Sequence, residues 1–279
     1  MGGVKSIGNF AQVAVPVMAG ADILIALAVI LLNPMEFLSV IGEIFRSAFG
    51  VAEAGAGAGA LGAVIAAGIK RGLFSNEAGM GSSPNAAAAA DVAHPAQQGY
   101  VQMASVFLDT MMICTATAGI VLMGGVDSDG AQGVTLTQES LSAVVGGWGS
   151  HFIAIALMFF AFTSIIANYY YAETSVYYLS HKHVVKVTYR VLYAGFIIFG
   201  AMVASSGSSE QFALIWSMAD VSMGLMASVN LLAIVLLSSV AFKVVKHYED
   251  KVASGDSQPH FSMNDCPVKG RVSRGIWGA

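Results

Sequence analysis

The sequence predicts an all-α integral membrane protein that crosses the bilayer several times. Three observations lead there: too few charges to cover a water-facing surface, apolar runs of bilayer-spanning length, and an alternation of basic and acidic links between those runs. Charged residues are 11% of the 279-residue chain, against roughly 25% in an ordinary soluble domain. Hydrophobic residues make up 56%, and the mean hydropathy is +0.70. A soluble fold of this length buries a large core but still needs a charged exterior, so the apolar surplus points to lipid as the solvent. The net charge of −4 is small and the charges are clustered, which argues against nucleic acid as a partner. Cys114 lies in an apolar run and Cys266 in the polar tail, a placement that suggests neither a disulfide framework nor a zinc site. Met1–Asn9 has none of the layout of a removable signal peptide.

A spanning helix needs about 20 mostly apolar residues, at a rise of about 1.5 Å each. Runs of that kind are Phe10–Leu32, Ala60–Val92 (interrupted), Gln98–Met123, His151–Ala172, Val187–Ala204 and Phe212–Val245. Between the first two, Pro34–Gly50 sets Phe37, Leu38, Ile41, Ile44 and Phe45 among Glu36, Glu43 and Arg46. That spacing suits an amphipathic helix in the interface, with a covering loop as the alternative. The run of alternating Ala and Gly from Ala54 to Ala60 permits close helix approach or makes a flexible turn.

The links give the orientation. The link after the fourth span carries Lys182, Lys186 and Arg190, and the chain after the last span opens with Lys243, Lys246 and Lys251. Gly124–Gly146 instead carries Asp127, Asp129 and Glu139 without Lys or Arg, and the Ser205–Gln211 turn has only Glu210. Basic links stay cytoplasmic, so both termini are expected inside the cell. The tail from Ala253 onward is polar, with Gly and Pro, and is expected to be loosely ordered.

Within the second span, Ala60–Ile69 is about half a bilayer long, and the stretch from Lys70 to Asn85 then brings Gly72, Gly79, Gly81 and Pro84. These weaken helix continuity, while Ser75, Asn76, Ser82 and Ser83 can bond to freed backbone groups. An unwound stretch at membrane depth is tolerated where protein or water satisfies it. The two half-helices then offer a positive end to a carboxylate and free carbonyls to a cation. The alternative is a plain polar loop between two shorter elements. Lys70, Arg71 and Glu77 read as an ion-pair group that shapes the break, since Glu77 must face protein or water.

In the fourth span, FFAFTSIIANYYYAE, Thr163 and Ser164 are adjacent hydroxyls in a bulky apolar run. Hydroxyl and carbonyl oxygens suit a hard monovalent cation, whereas the competing reading has each hydroxyl bonded back to the carbonyl four residues earlier in its own helix. Asp109 with Thr110 in the third span, and Asn168 in the fourth, are either packing glue or site residues. No catalytic pair, phosphate loop or metal cluster is read from the sequence, and no second catalytic residue that would make Asp109 an intramembrane hydrolase is read from it, so no enzyme is expected.

The stretch GLFSNEAGMGSSPNAAAAA (Gly72–Ala90), with HPAQQGYVQM and FLDTMMICTATA between His94 and Ala118 and FAFTSIIANYYYAE from Phe160 to Glu173, closely resembles the sodium:alanine symporter family. The resemblance covers nearly the whole chain. It implies a partial leucine-transporter-like fold, in which Phe10–Leu32 is the last helix of the first five-helix repeat and the broken span opens the second. It also implies that Phe74, Ser75, Asn76, Ala78 and Gly79 line a pocket for a small neutral amino acid. Phe160 (by its carbonyl), Thr163 and Ser164 would supply part of a sodium site. Sodium is then the coupling ion, no organic cofactor is needed, and the expected activity is alanine or glycine symport into the cell by alternating access.

On this reading residues 1–252 form the transporter domain in the cell membrane and 253–279 a polar cytoplasmic tail. The family's other broken helix and its tryptophan-rich signature are absent, so the N-terminal half of the fold is expected to be missing from this chain. Two alternatives from other classes stand beside symport: a non-transporting membrane fragment, and an amino-acid-binding sensor.

Overall fold

The computed structural model describes residues 3–49, 58–126, 133–207 and 209–268. Asp127 and Asp129, most of the Ala54–Ala60 run and the tail beyond residue 268 lie outside the described residues. Among the described residues the chain is helical and contains no strand. Five helical segments are long and apolar enough to cross a membrane: Gly8–Leu32, Pro95–Met123, Trp148–Leu179, His183–Ser205 and Ala213–Ala253. Their mean hydropathy is 1.6 to 2.5, and no more than 22% of any of them is buried within the chain. Apolar surface of that extent requires lipid or further protein against it, and the chain is a multi-pass membrane protein.

The chain divides into two compact units. The first comprises Met1–Gly72 and Leu108–Gly195, and the second Leu73–Phe107 and Phe196–Ala279. In the first, α1 (Gly3–Leu32) is followed after Asn33 by α2 (Pro34–Ala48). Pro34 opens α2, Glu36 sits in its first turn and Arg46 in its last, as the missing proline N–H and the helix dipole favour. The amphipathic helix read from the sequence therefore forms. Its apolar face, through Phe37, Val40 and Ile44, packs on protein: these side chains join a core with Ala26 and Val29 of α1. Ala116, Ile120 and Met123 of α6 (Thr115–Met123), Leu141 of α7 (Val134–Val145) and Ile153 of α8 (Trp148–Leu179) complete that core.

Helix α7 occupies part of the link that its charges alone marked as an outer loop. Its VTLTQESLSAVV sequence buries Ser140 and Leu141 on one side, and Ser142 Oγ meets Ser150 Oγ at 2.7 Å. Between α5 (Pro95–Leu108) and α6 the chain makes a π-helical turn, Asp109–Cys114. Helix α9 (His183–Ser205) returns along α8. Tyr193 donates to the carbonyl of Ile165 at 2.7 Å, Tyr189 to that of Tyr169 at 3.0 Å, and Arg190 reaches Glu173 at 2.7 Å.

In the second unit, α10 (Ser209–Ala253) has 45 residues, about 68 Å at the helical rise. That is more than twice the apolar thickness of a bilayer, so its charged end, Lys243 to Lys251, extends beyond it. The tail was expected to be loosely ordered, but its described part folds back on this end. Phe261 and Cys266 are buried, Phe261 N–H donates to the Ala93 carbonyl at 3.0 Å, Lys251 Nζ reaches the His260 carbonyl at 3.0 Å and Asp265 at 3.3 Å, and Lys243 Nζ bonds the Pro267 carbonyl. Two lysine ammonium groups and a buried aromatic ring fix a segment that its polar composition suggested was free.

Candidate functional site

The interruption of the second apolar run begins later than its residues suggested. Helix α3 (Ala58–Ser75) continues through Lys70, Arg71 and Gly72. Lys and Arg are good helix formers, and a single interior glycine costs only about 1 kcal/mol relative to alanine, too little to end a helix. Lys70 and Arg71 lie exposed on its last turns, and Phe74 and Ser75 close it.

Beyond Ser75 the helix ends in a Schellman turn. Ala78 N–H donates to the Leu73 carbonyl and Glu77 N–H to the Phe74 carbonyl, both at 3.2 Å. The residue such a turn places in the left-handed region is usually glycine; here it is Glu77, at φ +50°. Gly79 (φ +74°) and Gly81 (φ +87°) repeat the left-handed conformation, so the positive angle recurs at every second residue from Glu77 to Gly81. The backbone turns back into helix at α4 (Ser83–Ala87), where Pro84 stands in the first turn and needs no N–H partner. Asn85 Nδ2 bonds the Gly81 carbonyl at 3.5 Å. Asn76, Glu77, Ala78 and Gly79 are half-buried.

Helix α10 closes one side of this break. The Phe74 ring meets Trp216 edge to face at 6.1 Å, and Asn230 Nδ2 donates to the Gly79 carbonyl at 2.9 Å. Ser82 is 7% exposed, and its hydroxyl has no hydrogen-bond partner among the described residues. An aromatic pair, a carbonyl fixed by an amide and a buried hydroxyl thus stand beside the unwound backbone.

The second group of sequence-predicted residues lies on α8, in the first unit. Thr163 Oγ1 donates to the carbonyl of Phe160 at 3.0 Å, and both residues are half-buried. Two proposed cation ligands are thus adjacent oxygens, joined in the back-bond that the competing reading called for, although to the third preceding residue. Ser164 is exposed, and its carbonyl accepts from Asn168 Nδ2 at 3.0 Å. Asp109 begins the π-helical turn, with Cys114 Sγ at 3.8 Å from its Oδ2. The residues expected to line the pocket and those on α8 belong to different units.

Trp216, Asn230 and Asp22 were not read as site candidates. Trp216 and Asn230 fall on one half-buried stripe of α10 with Met223 and Ala227, a helical period that the apolar run conceals. Asp22, 8% exposed in the middle of α1, carried the plainest signal: a lone acid in a spanning run.

Residues 1–263 match the model of the sodium:alanine symporter family. The chain belongs to that family. The family is one of transporters, not of enzymes. It is 44% identical over 266 residues to the amino-acid carrier protein AlsT of Bacillus subtilis, covering 95% of this chain and 55% of that protein. It is 43% identical over 255 residues to the probable sodium/glutamine symporter GlnT of the same organism, covering 91% and 52%. The sodium/alanine symporter AgcS of Methanococcus maripaludis is 36% identical over 255 residues, covering 90% of this chain and 54% of AgcS. The chain thus spans about half the length of the curated relatives it matches. No solved structure matches it.

Proposed function

We propose that this chain supplies the amino-acid pocket and part of the sodium site for sodium-coupled symport of a small neutral amino acid, alanine or glycine. The carrying observation is the break after α3 in a member of a symporter family: unwound backbone with left-handed residues at 77, 79 and 81, faced by an aromatic and an amide from α10. Phe74 and Trp216 cover the apolar side of the substrate, while Ser75, Asn76, Ala78, Gly79 and the Ser82 hydroxyl meet its polar groups. Phe160, Thr163 and Ser164 bind sodium. The Thr163 hydroxyl proton, which now points at the Phe160 carbonyl, turns away so that both oxygens face the ion.

The fold is a partial leucine-transporter-like arrangement, with α1 ending the first repeat and α3 opening the second. Both termini are cytoplasmic, in the cell membrane. Lys70, Arg71 and Glu77 shape the break, and Asp109 and Asn168 stiffen their spans. Sodium binding favours the conformation that accepts the amino acid, so by reciprocity the amino acid raises sodium affinity by the same factor.

The test is uptake of radiolabelled alanine into proteoliposomes, with and without an inward sodium gradient. It uses this chain alone and the chain joined to the first half of a Bacillus subtilis relative. Sodium-driven uptake by either supports the proposal, and competition by glycine, serine and glutamine ranks the substrates. Sodium-independent binding without flux would favour the sensing role, and no alanine binding in either form would end the proposal. Thr163→Ala is expected to raise the half-activating sodium concentration about tenfold, equivalent to about 1.4 kcal/mol, because the ion loses one hydroxyl oxygen ligand. Unchanged sodium activation would move the ion site elsewhere.

A further inference from the structure

We propose that Asn230, in the middle of α10, is a positioning residue of the substrate site, clamping the unwound segment in the conformation that binds. The inference rests on the reading of the break as the substrate pocket. Asn230 lies in the apolar stretch Val229-Asn230-Leu231-Leu232-Ala233-Ile234. A carboxamide at that depth is costly unless its groups are bonded, and its Nδ2–H donates to the Gly79 carbonyl at 2.9 Å across 151 residues of sequence. Gly81 presses on the same side chain: a Cβ on Gly81 would stand 3.2 Å from both Cβ and Cγ of Asn230.

The geometry fixes one peptide plane at both ends. The carbonyl of Gly79 points to Asn230, and the N–H of the same peptide, on Met80, donates to the Glu77 carbonyl at 3.4 Å. That plane cannot turn without losing both bonds, so Asn230 sets the direction in which the chain reaches Gly81 and the buried Ser82 hydroxyl. It engages one of the two lone pairs of the Gly79 carbonyl and leaves the other for the substrate. A carbonyl that follows a left-handed residue has no helical N–H to accept, and α10 supplies the donor that the broken helix lacks.

Two variants separate this role from packing. Asn230→Leu keeps the branching and the number of heavy atoms and has no donor at any pH. Asn230→Asp keeps the shape and donates only while its carboxyl is neutral. In sodium-driven alanine uptake, Asn230→Leu is expected to raise the half-saturating alanine concentration at least tenfold, with the maximal rate changed less than threefold. Asn230→Asp, as a ratio to the unsubstituted protein at each pH, is expected to bind normally at low pH and to lose about tenfold in affinity as pH rises. It serves as well where the Leu variant fails to fold.

A second readout needs no transport. In hydrogen exchange of the purified chain in lipid, the Met80 to Ser82 amides are expected to exchange at least tenfold faster in Asn230→Leu. Unchanged exchange would sink the clamp whatever transport does. Faster exchange with unchanged alanine affinity would make Asn230 structural glue and overturn the positioning role. If the unsubstituted protein binds no alanine, the pocket reading fails and takes the positioning role with it, while exchange still shows whether the contact holds.

Discussion

Two apolar segments of this chain leave the α-helix midway, and they do so by different chemistry. The break after α3 runs through Gly79 and Gly81 in left-handed conformations and is held from outside, by Asn230 of α10. The π-helical turn Asp109–Cys114 contains neither glycine nor proline. Its side chains bond within their own helix, and two of these bonds have the five-residue reach of a π-helix: Cys114 to Asp109 Oδ2, and Thr115 Oγ1 to the Thr110 carbonyl at 3.3 Å. The break is permitted by backbone freedom and completed by a distant helix. The π turn is a slippage of one residue, and local hydroxyl and thiol groups answer it. An element of the first kind depends on its partner helix for its shape. An element of the second kind keeps its span continuous.

The strongest way to break the first element is to remove its freedom. Gly81→Val forces a branched side chain into φ +87° and against Asn230, where even a bare Cβ is 3.2 Å away. The expected cost is about 3 kcal/mol, from left-handed strain plus overpacking. Gly79→Ala shares the left-handed angle but meets only Leu231, at 3.7 Å. It should cost about 1–2 kcal/mol, the strain alone. Thermal unfolding of the two variants in lipid ranks them, and an equal loss in both would show that Asn230 does not press on Gly81.

The far end of the broken segment is also tied to α10, and that tie should respond to pH. His94, fully buried, accepts the Ala96 N–H on Nδ1 at 3.1 Å, so its proton sits on Nε2 and is shared with His247 Nδ1 at 3.0 Å. Its ring also meets Tyr248 and, edge on, Phe261 of the folded-back tail. Burial first, then the charges of His247 and Lys251, lowers the His94 pKa from 6.5 to about 4. The neutral form is thus the one that the fold favours. Between those values the unfolded chain binds a proton that the folded chain refuses, so stability present above pH 6.5 is lost as pH falls toward 4. Cys266, 2% exposed in the same tail, reports the loss. Its labelling by a maleimide, as a ratio to the denatured chain at each pH, should rise over that window. In His94→Phe, which keeps a ring and removes the titration, the rise should flatten. A pH-independent ratio in the unsubstituted chain would mean that the tail does not depend on neutral His94.

These differences account for what the sequence disclosed. The spanning helices, the amphipathic α2 and the existence of the break were legible because composition, period and the Gly-and-Pro signal are local. The start of the break was misplaced because Lys70 and Arg71 are strong helix formers, and because Glu77, not Gly72, takes the left-handed position that ends α3. The folded-back tail was missed because its two anchors, Phe261 and Cys266, are sparse in a polar segment. Asn230 and Trp216 were hidden for another reason. Each is ordinary in its own run and acquires a role only through a partner about 150 residues away, such as Gly79. The π turn has no breaker residue at all.

A smaller effect is expected where the chain uses Glu77 in place of glycine. Glu77→Gly relieves the positive φ while giving up the conformational restraint of a side chain, so a gain of at most about 1 kcal/mol is expected. The measurement is the thermal midpoint of the variant in lipid. A loss of stability instead would show that the Glu77 side chain contributes more to the break than its backbone strain costs.

The smallest effect belongs to the π turn. If local side chains alone answer the slipped residue, Thr115→Val removes one exposed hydroxyl bond and Cys114→Ala one weak thiol contact. Each should cost less than about 1 kcal/mol, the usual net worth of such bonds. The shape should respond more than the stability. Without both partners the five-residue spacing has less to favour it over the four-residue spacing, and the turn should relax toward regular helix. That relaxation would rotate everything beyond it, Ala116 and Ile120 included, by about the 100° that one residue subtends in a helix. Both of those side chains are buried in the core shared with α1 and α2, and a rotation of that size would pull them out of it. Packing beyond the turn should therefore hold the slipped register even when its local bonds are gone. A double variant that unfolds with nearly unchanged midpoint, and whose Ala116 and Ile120 stay protected in hydrogen exchange, would place the cause of the π turn in the α1–α2–α6 core. A loss much larger than the two single effects combined would return it to the side chains of the turn itself.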